Sequence, residues 1–216
     1  MKKKAYIQLV LAMIIWGTLG PLVKQIPLAS GEIVLARVIL GLATLGIIYF
    51  ASGGCRAGNT ADRYAVRKDI AILFVSGAVM GFNWVFLFEA YKYTTVSMAT
   101  VSYYCAPVII TALSPLVLGE KLTASRIAGI AAATAGMFMI TGSLQGGSQP
   151  LKGVLFGLLA ALFYACVTIL NKQLKGGFTG IQITIVQLFA AGIVVAPYAV
   201  INHEGAWVMP QGAGLV

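Results

Sequence analysis

Across its 216 residues the chain is 59% apolar and only 10% charged, with a mean hydropathy of +0.91. A soluble domain carries about a quarter charged residues, so this composition cannot cover a water-facing surface and a soluble globular class is excluded. A formal charge of +9 would suit nucleic acid, but the basic residues sit between apolar blocks instead of lining one helix face. That pattern orients membrane spans, and no nucleic-acid partner is expected.

In chain order, the apolar blocks predict seven spans, near 5–26, 31–51, 70–90, 95–118, 125–143, 153–170 and 181–201. Each lies close to the roughly 20 residues that cross a bilayer as a helix. Helices are expected because backbone polar groups in lipid have to be satisfied within their own segment. Lys2, Lys3 and Lys4 precede an apolar run without a small-x-small cleavage site, so the first block stays as a span. The segments between spans, including Gly53 to Asp69 and Asn171 to Gly180, are too short to be domains. Cys105 and Cys166 fall inside apolar blocks and Cys55 in a loop placed in the cytoplasm, so no disulfide is expected.

Charges within spans are costly and point to function. Glu32, Arg37 and Glu89 form the short list, with Lys24 and Lys92 at outer span ends. Counted from Gly31, Arg37 lies about 9 Å below the outer end of its helix. Two readings stay open. Arg37 could pair with Glu89 or helix carbonyls and lock two helices together, or it could attract an anionic solute group or couple to a proton. Trp16, Asn83, Trp84, Ser97, Tyr103 and Tyr104 supply the aromatic walls and hydrogen-bonding groups that a solute site needs; packing and interfacial belts are the competing roles. Pro107 and Pro115 remove backbone donors and predict a kink in the fourth span. Gly77 with Gly81, Gly153 with Gly157, and the stripe Ala128, Ala132, Gly136 are read as close helix packing. Glu120 and Lys121 occupy a cytoplasmic turn, where a solvated pair or a helix-end interaction is expected.

Orientation follows from Lys and Arg in alternate segments. With the N-terminus inside, the inner segments hold 11 and the outer segments 3, which predicts a cytoplasmic N-terminus in a bacterial-type plasma (inner) membrane. The chain also matches itself at an offset of 148 residues: LAMIIWGTLGPLVKQI from Leu11 lies over LAALFYACVTILNKQL from Leu159. Five spans precede the second copy, so that copy is inverted, as in many transporters. The expected organisation is one repeat over 5–143 and an incomplete second over 152–216. The counterpart of Gly142 would fall beyond Val216, so the sequence is expected to be a fragment lacking about three helices.

The Trp16-Gly17 pair, Arg37, the block FEAYKYTTVSMATVSYYCAPV from Phe88 to Val108, and LGEKL followed by Arg126 and Gly129 resemble the EamA-type repeat of the drug/metabolite transporter (DMT) superfamily. The resemblance implies an all-α polytopic membrane protein of ten helices, built from two inverted five-helix repeats. It further implies a transporter or exporter of small metabolites, amino acids or related solutes among them, with no ATPase and no cofactor. Where Arg37 would recur in the second copy, Gln187 stands instead. A membrane-embedded enzyme and a non-transporting scaffold are the alternatives. HExxH, GxSxG and Walker A patterns are absent, the single histidine, His203, stands beside Glu204 in an outer loop, and no catalytic or metal site is expected. The lipid bilayer and a small solute are the expected partners, and the oligomeric state is left open.

Overall fold

A computed structural model describes residues 2–26, 28–51, 63–119, 123–141, 149–175 and 178–201. The described residues form eight α-helices and no strand: α1 (Lys2–Gln25), α2 (Ser30–Ala51), α3 (Arg63–Tyr93), α4 (Val96–Tyr103), α5 (Ala106–Leu118), α6 (Ala124–Thr141), α7 (Pro150–Lys172) and α8 (Gly180–Ile201). Among the described residues, five segments are long and apolar enough to cross a bilayer: Ser30–Ala51, Val66–Tyr93, Val96–Pro115, Pro150–Lys172 and Gly180–Ile201. Leu9–Gln25 in α1 and Ile127–Gly136 in α6 are shorter apolar stretches.

Local chemistry sets the helix starts. The Thr95 side chain caps α4 by accepting from the Met98 N–H at 3.2 Å, and Pro150 opens α7 where a missing N–H costs nothing. At the start of α8, the Thr179 N–H donates to Gln182 Oε1 at 2.9 Å while Thr179 Oγ1 accepts from the Gln182 N–H at 3.4 Å. This reciprocal box satisfies two donors that the helix end would leave orphaned. Glu32 does the same for the Ala29 N–H at 2.9 Å, ahead of α2.

The fourth predicted span is two helices. Pro107 lies in the first turn of α5 and the break falls at Tyr104 and Cys105. A proline withdraws the N–H that the carbonyl four residues earlier would receive and crowds it sterically. The interruption therefore precedes Pro107 by a half-turn. Pro115 remains inside α5.

α3 runs through the middle of the bundle. It packs most extensively on α7 and then on α8; α2 lies along α8, and α4 and α5 lie along α7, while α1 and α6 touch their neighbours lightly. Glycine makes the tightest crossings. A Cβ on Gly77 would stand 2.6 Å from Gln187 Cα, and one on Gly81 3.3 Å from Ala191 Cα, so α3 and α8 meet nearly backbone to backbone. Gly157 brings α7 equally near α4, where a Cβ would stand 2.7 Å from Ser102 Cβ. With lipid tails as apolar as leucine, such close packing supplies association that the hydrophobic effect cannot. On α6 the result differs: a Cβ on Gly129 or Gly136 would meet nothing within 4 Å among the described residues. The α3–α7 seam is aromatic: Phe156 stacks on Phe86 at 6.0 Å and on Tyr93 at 5.7 Å, and Phe163 packs against Phe86 at 5.3 Å and Phe82 at 6.0 Å.

Candidate functional site

Trp84, Phe88 and Tyr91 are spaced i, i+4, i+7 and so share one face of α3. Phe88 and Tyr91 are buried, with ring centroids 6.3 Å apart. Arg37 on α2 places its guanidinium carbon 4.5 Å from the centroid of the Trp84 ring. A cation held over indole gains from the negative face of the ring, by about 0.5–2 kcal/mol depending on desolvation. Tyr91 and Tyr103 lie within electrostatic reach of the same guanidinium.

Beside Arg37 is a cavity of about 570 Å³. Val23, Ile26 and Leu28 form one wall and Phe88 another; Ile33, Ala36, Arg37, Leu40, Gly41, Thr44 and Leu45 of α2 form the remainder. Among the described residues, Arg37 is the one ionisable residue lining it. The volume falls within the roughly 300–1,000 Å³ of small-molecule sites, which are commonly apolar with few polar groups.

Asn83 is one position from Trp84, so its side chain leaves α3 about 100° away, toward α7. It is 1% exposed and donates from Nδ2 to the Ala160 carbonyl at 2.6 Å. Its Oδ1 is buried without a hydrogen-bond partner among the described residues, although Tyr103 lies beside Asn83. Tyr103 also packs against Tyr164 at 5.6 Å. Arg37, Trp84, Asn83 and Tyr103 are thus brought together, at the place where α4 breaks.

Other expected members lie elsewhere. Tyr104 is 56% exposed at the edge of this cluster, its ring 6.2 Å from that of Tyr103. Glu89 accepts from Ser30 Oγ at 2.7 Å and pairs with Lys92 at 3.2 Å. Ser30 and Arg37 are seven residues apart, about 10 Å along a helix, so Glu89 works at a different depth from Arg37. Lys24 donates to the Thr94 carbonyl at 3.2 Å, near the same end. Ser97 is exposed. The side chain of Trp16, the pair Glu120 and Lys121, and His203 with Glu204 lie outside the described residues.

A second polar cluster occupies the opposite end, near the α7–α8 turn. Gln187 Nε2 donates to Ser76 Oγ at 2.7 Å and to Asn171 Oδ1 at 2.8 Å, and Ser76 donates on to the Leu73 carbonyl at 3.0 Å. Asp69, 2% exposed, accepts from the Lys175 N–H at 3.3 and 3.4 Å. Asp69, expected at the edge of a loop, is helical, and Tyr91 joins the Arg37 face unannounced by charge or motif; its i, i+4, i+7 spacing from Trp84 is the signal for it.

The sequence pattern of the EamA-like transporter family matches residues 3–142. The uncharacterized transporter YxxF of Bacillus subtilis (strain 168) is 29% identical across the whole chain and 70% of its own length. An uncharacterized transporter of Archaeoglobus fulgidus is 25% identical over 96% of the chain and 71% of its own length. A further B. subtilis relative, the uncharacterized transporter YojE, is 26% identical over 74% of the chain and 54% of its own length. No solved structure matches. With apolar helices of bilayer length and a family match covering most of its residues, the chain belongs to the EamA-like transporter family.

Proposed function

We propose that the chain is a secondary transporter or exporter of small metabolites, with amino acids and related solutes within its range, and that it works by alternating access between two inverted five-helix repeats. The observation that carries this reading is Arg37 held over Trp84 at the wall of an apolar cavity. A charge at this depth is expensive to keep, and a small-molecule site beside it gives it a use. In the same reading, seven spans belong to a ten-helix fold, residues 5–143 form the first repeat, and 152–216 begin the second. The 11 to 3 distribution of basic residues supports a cytoplasmic N-terminus in a bacterial-type inner membrane. Trp16, Arg37, Asn83, Trp84, Tyr103 and Tyr104 are the proposed solute contacts; Arg37 and Glu89 are the proposed coupling groups. The protein has no catalytic role in this reading. Uptake and efflux by proteoliposomes containing the complete protein test it: solute-specific flux that Arg37→Gln removes, at normal membrane levels, is expected. Absence of movement for any solute under any gradient sinks the proposal.

A further inference from the structure

We propose that the apolar groove beside α2 is the seat of a further transmembrane helix, the second repeat's equivalent of α3, and that the solute site at Arg37 is complete only with that helix in place. This deepens the transporter reading and rests on its second repeat. α2 and α8 correspond residue by residue: each has 22 residues, and Ser30–Ala51 lies over Gly180–Ile201 at an offset of 150. Their starts are built alike. Glu32 accepts from the Ala29 N–H at 2.9 Å, and its counterpart Gln182 accepts from the Thr179 N–H at 2.9 Å. The two helices are antiparallel neighbours, since Gly31 at the start of α2 meets Ala199 near the end of α8. Their contact is also nearly symmetric: a Cβ on Gly192 would stand 3.1 Å from Val38 Cγ1, and one on Gly41 3.1 Å from Leu188 Cδ1, Leu188 being the counterpart of Val38. Equivalent helices packed head to tail are what an inverted repeat about an axis in the membrane plane produces.

Such an axis carries the neighbours of one helix onto the other. The face of α8 that α3 covers consists of Gln187 and Ala190, which crowd Gly77, and Ala191 and Val195, which crowd Gly81. All four are buried. Their counterparts on α2 are Arg37, Leu40, Gly41 and Leu45, and all four line the groove. α3 lies between α7 and α8, and the groove lies between α2 and the end of α1, the counterparts of that pair. The α1 side agrees: Ala160 on α7 is 0% exposed against α3, whereas Ala12, its counterpart at the 148 offset, is exposed.

A helix explains this face better than lipid does. Ile39 and Leu40 are similarly exposed, at 63% and 67%, so exposure alone would give both to acyl chains. Their counterparts differ: Phe189 is 56% exposed with α3 in place, and Ala190 is 0% exposed. The symmetry therefore assigns Ile39 to lipid and Leu40 to a helix. Small residues four apart, as Gly77 and Gly81 are on α3, are the chemistry expected of the occupant, with its close crossing at Gly41. Ser76 on α3 reaches Gln187, so the equivalent residue of the occupant arrives at the level of Arg37 and makes that helix a wall of the solute site. The matched region is 70% and 71% of two relatives, so proteins of this kind have the length for further helices.

Photo-cross-linking in native membranes tests this. p-Benzoylphenylalanine is placed at Leu40, or at Ile39 as the matched control, in the complete protein; after irradiation the adducts are digested and read by mass spectrometry. From position 40 an adduct within the same molecule is expected, to an apolar peptide C-terminal to Ile201, and from position 39 only lipid adducts. Lipid adducts alone from position 40, adducts between two copies, or the same helix adduct from both positions overturn the proposal. If the variant at Leu40 is not recovered folded, the probe goes to Leu45, whose counterpart Val195 is 0% exposed, with the same outcomes. Flux by the unaltered complete protein is read separately. The expected adduct without flux of any solute upholds the helix seat and refutes transport; flux with only lipid adducts at position 40 does the reverse.

Discussion

Replacing Gly77 by Ala adds a single methyl group where α3 and α8 are closest. The new Cβ would stand 2.6 Å from Gln187 Cα, with the Gln187 carbonyl and Ala190 Cβ also in its way. Carbon atoms settle at about 3.5–4.0 Å, so the helices have to part by about 1 Å. Two costs follow. Overpacking of this kind is worth about 1–3 kcal/mol. Separation also stretches the 2.7 Å bond from Gln187 to Ser76, a neighbour of the substituted position, adding about 1 kcal/mol. Together they reach about 2–4 kcal/mol, against a helix-propensity gain of about 1 kcal/mol. The matched control is Gly129→Ala on α6, where the same propensity gain applies and nothing lies within 4 Å. Thermal unfolding of both variants in one detergent reads the difference: Gly77→Ala melts well below the unaltered protein, and Gly129→Ala melts at or slightly above it. Equal melting temperatures for the two variants would refute the backbone-to-backbone account of the α3–α8 crossing.

Asn83→Leu should cost no more than about 1 kcal/mol, because it removes the bond to the Ala160 carbonyl and the unpartnered Oδ1 together; flux measured alongside stability is expected to fall much further, and a loss confined to stability would take Asn83 out of the site. Gln187→Leu strips Asn171 Oδ1 of its donor and should destabilise by about 1–2 kcal/mol in a denaturant titration, whereas no change would show the network to be dispensable. In a background with Cys55, Cys105 and Cys166 replaced by Ser, Gly31→Cys with Ala199→Cys is expected to form an α2–α8 disulfide on mild oxidation. The Cβ positions there are 3.1 Å apart, closer than the usual spacing of about 3.5–4.5 Å, so a slight parting of the helices brings them into bonding geometry; failure to cross-link would refute the contact between α2 and α8.

Much of the helical layout was legible because it depends on composition and local chemistry. Unbroken apolar runs and polar punctuation locate α2, α7 and α8 to within a few residues, and Pro107 announces an interruption in the fourth apolar block. Features that depend on helix rotation or relative depth were not legible. Arg37 and Glu89 are an obvious pair of opposite charges in two predicted spans, but Glu89 sits at the level of Ser30, while Arg37 lies over the Trp84 indole. Charge density misled in the other direction at α3. Arg67, Lys68 and Asp69 looked like a loop, but the helix begins at Arg63 and buries Asp69 against the α7–α8 turn. Hydropathy registers the cost of a charge in lipid, not the persistence of a helix beyond the bilayer.

The walls of the Arg37 cavity differ in how firmly they are held. Moving α2 outward means parting Gly31 from Ala199 and lifting Arg37 from its ring. Moving α1 disturbs much less. Its side of the cavity is tied at one end, by Lys24 to the Thr94 carbonyl and by Gly20 against Val96, and Met13, Ile14 and Ile15 farther along α1 are exposed. Widening this space is easiest as a hinge about this anchored helix end, held by a charged hydrogen bond worth about 1.5–3 kcal/mol, with the guanidinium and its aromatic seat left as a fixed floor.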